Sequence, residues 1–176
     1  MNLEQLISRA SDKTRFKEVR DYVDFCRDYL HFALDGLQAV IVSRNENHYR
    51  FYQYRQDGNY NITRPINSDI MIPANDFDAM AVSFLYSLLH VRDIQSPKDR
   101  DGINRVVYSC QQAIGATLDA LPAGQINTAR KINGDLFERF IRILISEIGI
   151  PVRSGTVRLP VIVDDIRLFD WPISMT

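Results

Sequence analysis

The run NTARKINGDLFERFIRILISEIG, Asn127 to Gly149, gathers the residues of this chain best suited to chemistry. A basic pair, Arg130 and Lys131, and then Gly134 stand in front of an expected apolar helix. One carboxylate, Glu138, falls in the opening turns of that helix. From Asn127 to Arg158 six basic residues (Arg130, Lys131, Arg139, Arg142, Arg153 and Arg158) face three acidic ones (Asp135, Glu138 and Glu147), although the whole chain carries a formal net charge of −1. This asymmetry marks where an anion would dock.

Glu138 has three chemically sensible uses. At about 100° per residue it lies between an apolar arc, which includes Phe137, Phe140, Ile141 and Leu144, and a polar side with Asp135, Arg139 and Arg142. With Asp135 as N-cap, Glu138 becomes the third helical residue of a D-x-x-E arrangement like a capping box. It also stands four residues before Arg142, a pairing that contributes about 0.2–0.5 kcal/mol. The third use is metal binding, which needs other carboxylates nearby.

The remaining candidate groups are scattered. Cys26 and Cys110 are separated by 84 positions without a CxxC and each falls on the apolar side of an expected helix, the usual place of an inert buried thiol in a reduced, cytoplasmic setting. His31, His48 and His90 show no metal or triad spacing, and neither a Gly-x-Ser-x-Gly nor a phosphate-cradling glycine loop occurs. The first residues lack the apolar core of a signal peptide, and no run approaches ~18 apolar residues, so neither export nor membrane spanning is expected.

These residues need a scaffold, and 176 residues suffice for a domain that buries roughly 70% of its unfolded surface. Val19, Tyr22, Val23, Cys26, Tyr29, Leu30, Ala33, Leu37, Val40 and Ile41 recur at steps of three and four, which predicts a helix from Lys17 to Ser43. HYRFYQYRQDGNYNITRP alternates around Asp57-Gly58 and predicts a β-hairpin near 48–63. Its interleaved Tyr and Arg could stack on unpaired bases or pack on the first helix. Asn75 is suited to cap a helix with Phe77, Met80, Ala81, Phe84, Leu85 and Leu88 inward. Ser96-Pro97-Lys98-Asp99 has a cap and a proline at the first helical position, and opens a helix with Ile103, Val106, Val107, Cys110, Ile114 and Leu118 inward. The helix of the opening stretch ends near Gly149, and TVRLPVIVDD follows as a strand whose proline places it near an edge. IRLFDWPISMT has no clear period. The expected class is α+β and mostly helical, with four or five helices, a β-hairpin and a terminal strand.

The stretch IGATLDALPAGQINTARKINGDLFERFIRILISEIGI resembles the entry to the catalytic core of some type II restriction endonucleases of the PD-(D/E)XK superfamily, through Asn127, Arg130, Lys131, Gly134, Phe137 and Glu138. The resemblance covers about 40 residues. It implies a helical region at 1–124 and the start of an endonuclease-like core at 125–176. It further implies that Asn127, Arg130 and Lys131 touch the backbone of double-stranded DNA, and that Glu138 helps to hold a catalytic Mg2+. With Glu138, Asp164 and Asp165 are the carboxylates assigned to catalysis, and Glu138 and Asp164 those assigned to the metal. Clustered carboxylates hold a hard cation that activates water and neutralises the phosphate under attack. Cleavage of both strands favours a homodimer.

The superfamily also needs an E-x-K or close variant on a strand after the helix. No lysine or glutamate follows Glu147, and none of the four lysines (Lys13, Lys17, Lys98 and Lys131) has an acidic residue two positions before it. The expectation is therefore an amino-terminal part, or a truncated relative, of a magnesium-dependent endodeoxyribonuclease without its full active site. The alternative is a non-enzymatic helical module for protein–protein interaction, with a surface around MAVSFLYSLL or LPVIV.

Overall fold

A computed structural model of the chain describes residues 1–36, 41–43, 48–54, 60–67, 69–73, 76–83, 97–147, 149, 155–163 and 166–175. It is α+β and mostly helical. In chain order come α1 (Leu3–Ser11), α2 (Val19–Gly36), β1 (Ile41–Ser43), β2 (His48–Tyr54), β3 (Tyr60–Asn67), α3 (residues 76–83), α4 (Pro97–Leu118), α5 (Ile126–Glu147), β4 (Gly155–Val163) and β5 (Ile166–Met175).

The core is helical, and α2, α4 and α5 build most of it. Tyr22 of α2 stacks on Phe140 of α5, with ring centroids 4.3 Å apart and planes 10° from parallel. Its hydroxyl donates to the Leu136 carbonyl at 3.0 Å. Phe16 closes the other side of Tyr22 at 4.7 Å, and its carbonyl accepts from Arg139 Nε at 2.7 Å. The Val19 N–H, one of the orphan donors at the start of α2, is satisfied from α5 by the Glu147 carboxylate at 2.9 Å. Asp21 accepts from the Lys17 and Glu18 N–H groups in the same turn. Buried Val106, Cys110, Ala113 and Ile114 carry α4 into this core.

The first helix is an addition to the expected elements. Asn2 and Gln5 form a reciprocal capping box, side chain to backbone in both directions. Leu6 and Ala10 anchor α1 inward, and Arg9 reaches Asp28 of α2 at 2.7 Å while lying over the Phe25 ring. Of the helix predicted from Lys17 to Ser43, Val19–Gly36 is helical among the described residues, and Ile41–Ser43 is a strand instead. Ile41 and Val42 follow the β preference of their branched side chains and pair with β2, Ile41 opposite Arg50 and Val42 opposite Tyr49.

The predicted hairpin is present as β2 and β3 in a three-stranded antiparallel sheet of order β1-β2-β3, with Asp57-Gly58 outside the described residues. Pro65 sits in edge strand β3, beside an irregularity between Arg50 and Tyr52, where a missing N–H is tolerated. The end of β3 is tied to α4, since the Asn67 N–H donates to the Tyr108 hydroxyl at 2.9 Å and the Ile72 N–H to buried Ser109 at 3.0 Å.

Helix α3 buries Phe77 and Ala81, as its spacing predicts. Asn75, Phe84, Leu85 and Leu88 lie outside the described residues. Arg27 of α2 meets Asp78 of α3 at 2.6 Å. Helix α4 starts at Pro97, the expected first position.

The segment expected to lack a period is a full strand. β5 pairs antiparallel with β4 from Gly155 opposite Met175 to Val163 opposite Ile166. The register sets Val157 opposite Ile173, Leu159 opposite Trp171 and Val161 opposite Phe169. Pro160 and Pro172 fit because each strand of a two-stranded ribbon has an outer edge without ladder bonds.

Candidate nucleic-acid interface

Helix α5 begins at Ile126, nine residues before the expected Asp135 cap. A one-turn 3-10 segment, Ala123–Gln125, leads into it, with the Gln125 N–H donating to the Pro122 carbonyl at 2.8 Å. The apolar stripe is what extends the helix toward the amino terminus. Ala129, Leu136, Phe140 and Leu144 are buried along one side, and Ile132 and Ile143 pack beside them. Gly134 costs about 1 kcal/mol in a helix interior, which this burial offsets.

Two expectations are thereby corrected. Asn127, Arg130 and Lys131 belong to the first two turns of the helix rather than to a turn before it. Asp135 lies inside the helix and is not its N-cap, so the capping-box use of Glu138 is excluded. The i,i+4 pairing is present, with Glu138 Oε1 2.6 Å from Arg142 Nη2 and both side chains about one-third exposed.

The early start has a geometric consequence. Asn127, Arg130, Lys131, Gly134 and Glu138 follow steps of three and four and occupy one face, opposite the buried stripe. Asn127, Arg130, Lys131 and Gly134 are exposed, and nothing lies within 4 Å of a Cβ built on Gly134. The result is a bare strip two turns long, with an amide and two cations, on a helix fixed from behind by Tyr22 and Phe140. An approaching polyanion would meet charges attached to a rigid element.

Asp164 and Asp165, which separate β4 from β5 in the sequence, lie outside the described residues. Among the described residues no group of three or more His, Cys, Asp and Glu could hold a metal ion. Glu138 on its own is a single carboxylate already paired with a guanidinium.

At the head of the α5 face a cavity of about 260 Å3 opens beside Arg130. Arg64 of β3 lines it too, bound through Nε to Asp119 at 2.8 Å. No sequence pattern signals this pair, whose members lie 55 residues apart. Elsewhere, burial raises the Cys26 thiol well above its ordinary value, helped by the hydrogen bond it shares with Cys110, so two cysteines distant in sequence meet in the core. Burial likewise pushes up the Tyr22 hydroxyl, against a smaller opposing effect of Arg139. Among the described residues no helix is long and apolar enough to cross a membrane.

Comparison of the chain with protein-family models, with curated proteins and with solved structures returned no match.

Proposed function

We propose that the chain binds the phosphate backbone of double-stranded DNA along the exposed face of α5, as a restriction-endonuclease-like protein or part of one. The observation that carries this reading is the placement of Asn127, Arg130 and Lys131 together on one bare strip of a well-anchored helix. Backbone contacts of this kind fix a protein on a duplex without reading bases, and their strength falls steeply with salt. A two-fold assembly would present two such strips to one duplex.

Hydrolysis rests on the resemblance alone. In that reading Glu138 and Asp164 would hold Mg2+, with Asp165 the third catalytic carboxylate. The described donor set, one carboxylate in an ion pair with Arg142, does not fit a divalent ion by itself. Binding alone is therefore proposed.

One observation favours the alternative of a protein–protein interaction module. Among the described residues β4 and β5 pair only with each other, so each strand has an outer edge of the kind that accepts a further strand. A gel shift with duplex DNA separates the two readings. Retarded duplex at low salt, weakened by Arg130→Ala/Lys131→Ala, supports the DNA reading. Absence of any shift at low salt removes it and leaves strand addition.

A further inference from the structure

The cavity beside Arg130 has features that the backbone-binding strip does not use. It lies where α4 ends and α5 begins, with β3 along its side. Leu118, Leu121 and Ile126 give it an apolar lining. Its polar groups are Arg64, Arg130, Asn133 and Asp119. Two guanidinium groups against one carboxylate leave a positive charge to be answered.

Arg64 is held in place from two directions. Asp119 binds its Nε, engaging one of the five N–H donors of a guanidinium. The guanidinium also lies directly on Gly115 in the buried part of α4, in space that a Cβ at that position would occupy. Glycine is therefore what lets this cation approach the helix so closely. The side chain is 23% exposed, so the cation is mostly withdrawn from water yet borders an open volume. Charge-assisted bonds from such a pre-positioned guanidinium to an oxyanion are strong and directional.

The volume restricts the ligand. At about 260 Å3 the cavity falls below the roughly 300–1,000 Å3 of pockets that enclose drug-sized molecules. A phosphodiester carries chain on both sides and suits a groove, whereas a terminal group suits a small cavity. We propose that this cavity is a site for a phosphate monoester, with the phosphate between Arg64 and Arg130, the Asn133 amide donating to it, and the adjoining organic group on Leu118, Leu121 and Ile126. The source of the monoester is either a free nucleotide or the 5′-phosphorylated end of a DNA strand. The site goes beyond the backbone-binding strip and does not require it.

The test is calorimetric titration of the full chain with thymidine 5′-monophosphate, inorganic phosphate and neutral thymidine. Saturable binding of the monophosphate is expected, with thymidine failing to bind. Arg130→Gln changes an exposed side chain and should weaken the monophosphate by at least about tenfold, whereas Lys13→Ala, an equal loss of charge at a distant exposed position, should not. Gly115→Ala should weaken it as well by displacing Arg64, with circular dichroism reporting that the fold persists. Equal binding of thymidine and its monophosphate, or full affinity in Arg130→Gln, overturns the site. Competition with a 5′-phosphorylated and a 5′-hydroxyl oligonucleotide identifies the source, because displacement by the first alone points to strand ends, and displacement by neither points to the free ester. Monophosphate binding without duplex binding would overturn the α5 strip and leave the cavity. Duplex binding without monophosphate binding would do the reverse.

Discussion

Three helical glycines allow the contact between Arg64 and α4 to be tested without touching either charge. Gly102, Gly115 and Gly134 all lie within long helices, where alanine in place of glycine contributes about 0.8–1.0 kcal/mol of stability by propensity alone. Around Gly102 and Gly134 an added Cβ meets nothing within 4 Å, so Gly102→Ala and Gly134→Ala should each gain most of that amount. At Gly115 the added Cβ would overlap the Arg64 guanidinium. The guanidinium is the far end of a flexible side chain and can swing away, but the Asp119 ion pair is then lost, at a cost of up to about 1 kcal/mol for a partly exposed pair. Gly115→Ala should therefore be close to neutral, or slightly destabilising, and fall about 1 kcal/mol below the other two. Urea denaturation of the three single variants measures this directly, and a chain of this size should show the difference as about 2–4 °C in Tm. If Gly115→Ala gained as much stability as Gly102→Ala and Gly134→Ala, Arg64 would not rest on α4, and the geometry assigned to the cavity would be wrong.

Two further outcomes follow from the core. The folded-state values of Cys26 and Tyr22 are raised above the ordinary 9.0 and 10.0, so the stability they contribute is complete below pH 9. It is lost as pH rises through 9 and 10, where the unfolded chain releases protons that the folded chain retains, with a slope of up to about 1.4 kcal/mol per pH unit for each group. Urea midpoints at pH 8 and pH 10 should show the loss, and Cys26→Ala should reduce it; an unchanged midpoint at pH 10 would contradict the burial. Tyr22→Phe removes the hydroxyl donated to Leu136 but keeps the ring, and the Leu136 carbonyl retains its helical partner, so a loss of about 1 kcal/mol is expected. Tyr22→Ala also removes the ring from between Phe16 and Phe140 and should cost about 3–5 kcal/mol; equal losses in the two variants would mean that the ring stack contributes nothing.

Periodicity reveals the elements whose burial is one-sided and long. The stripe Val19 to Ala33 identifies α2, Ile103 to Leu118 identifies α4, and Pro97 marks its first position. Helix α1 is strongly amphipathic, but over nine residues its pattern repeats too few times to stand out by period, and its clearer signal is the capping box of Asn2 and Gln5. The carboxyl-terminal limit of α2 is overrun because Val40 and Ile41 continue the three–four spacing, while pairing with β2 decides otherwise for Ile41. Strand β5 alternates from Phe169 to Met175, with Asp170, Pro172 and Ser174 between the apolar residues, but the phase shifts at Leu168, where the register with β4 is irregular; pairing with β4 makes it one strand, and pairing cannot be read from one segment.

At the candidate interface the residues are legible in the sequence and their setting is not. Asn127, Arg130 and Lys131 look like a polar turn because Gly134 and Asp135 resemble a helix start. Burial of Ala129 and Leu136 carries the helix through that signal and turns a loop cluster into a helix face. The Glu138–Arg142 pair is visible from its spacing alone. Arg64 and Asp119, by contrast, meet only through the packing of β3 against α4, and no local pattern announces them.

Whether the exposed face of α5 holds a phosphate backbone is tested most directly by the salt dependence of duplex binding. Each phosphate contact contributes about 0.9 to the slope of log affinity against log salt. A salt-sensitive affinity is expected, with a slope that falls by about 2 when Arg130→Ala and Lys131→Ala are combined. An affinity that does not change with salt, or a slope that the double substitution leaves intact, would contradict backbone binding by this face.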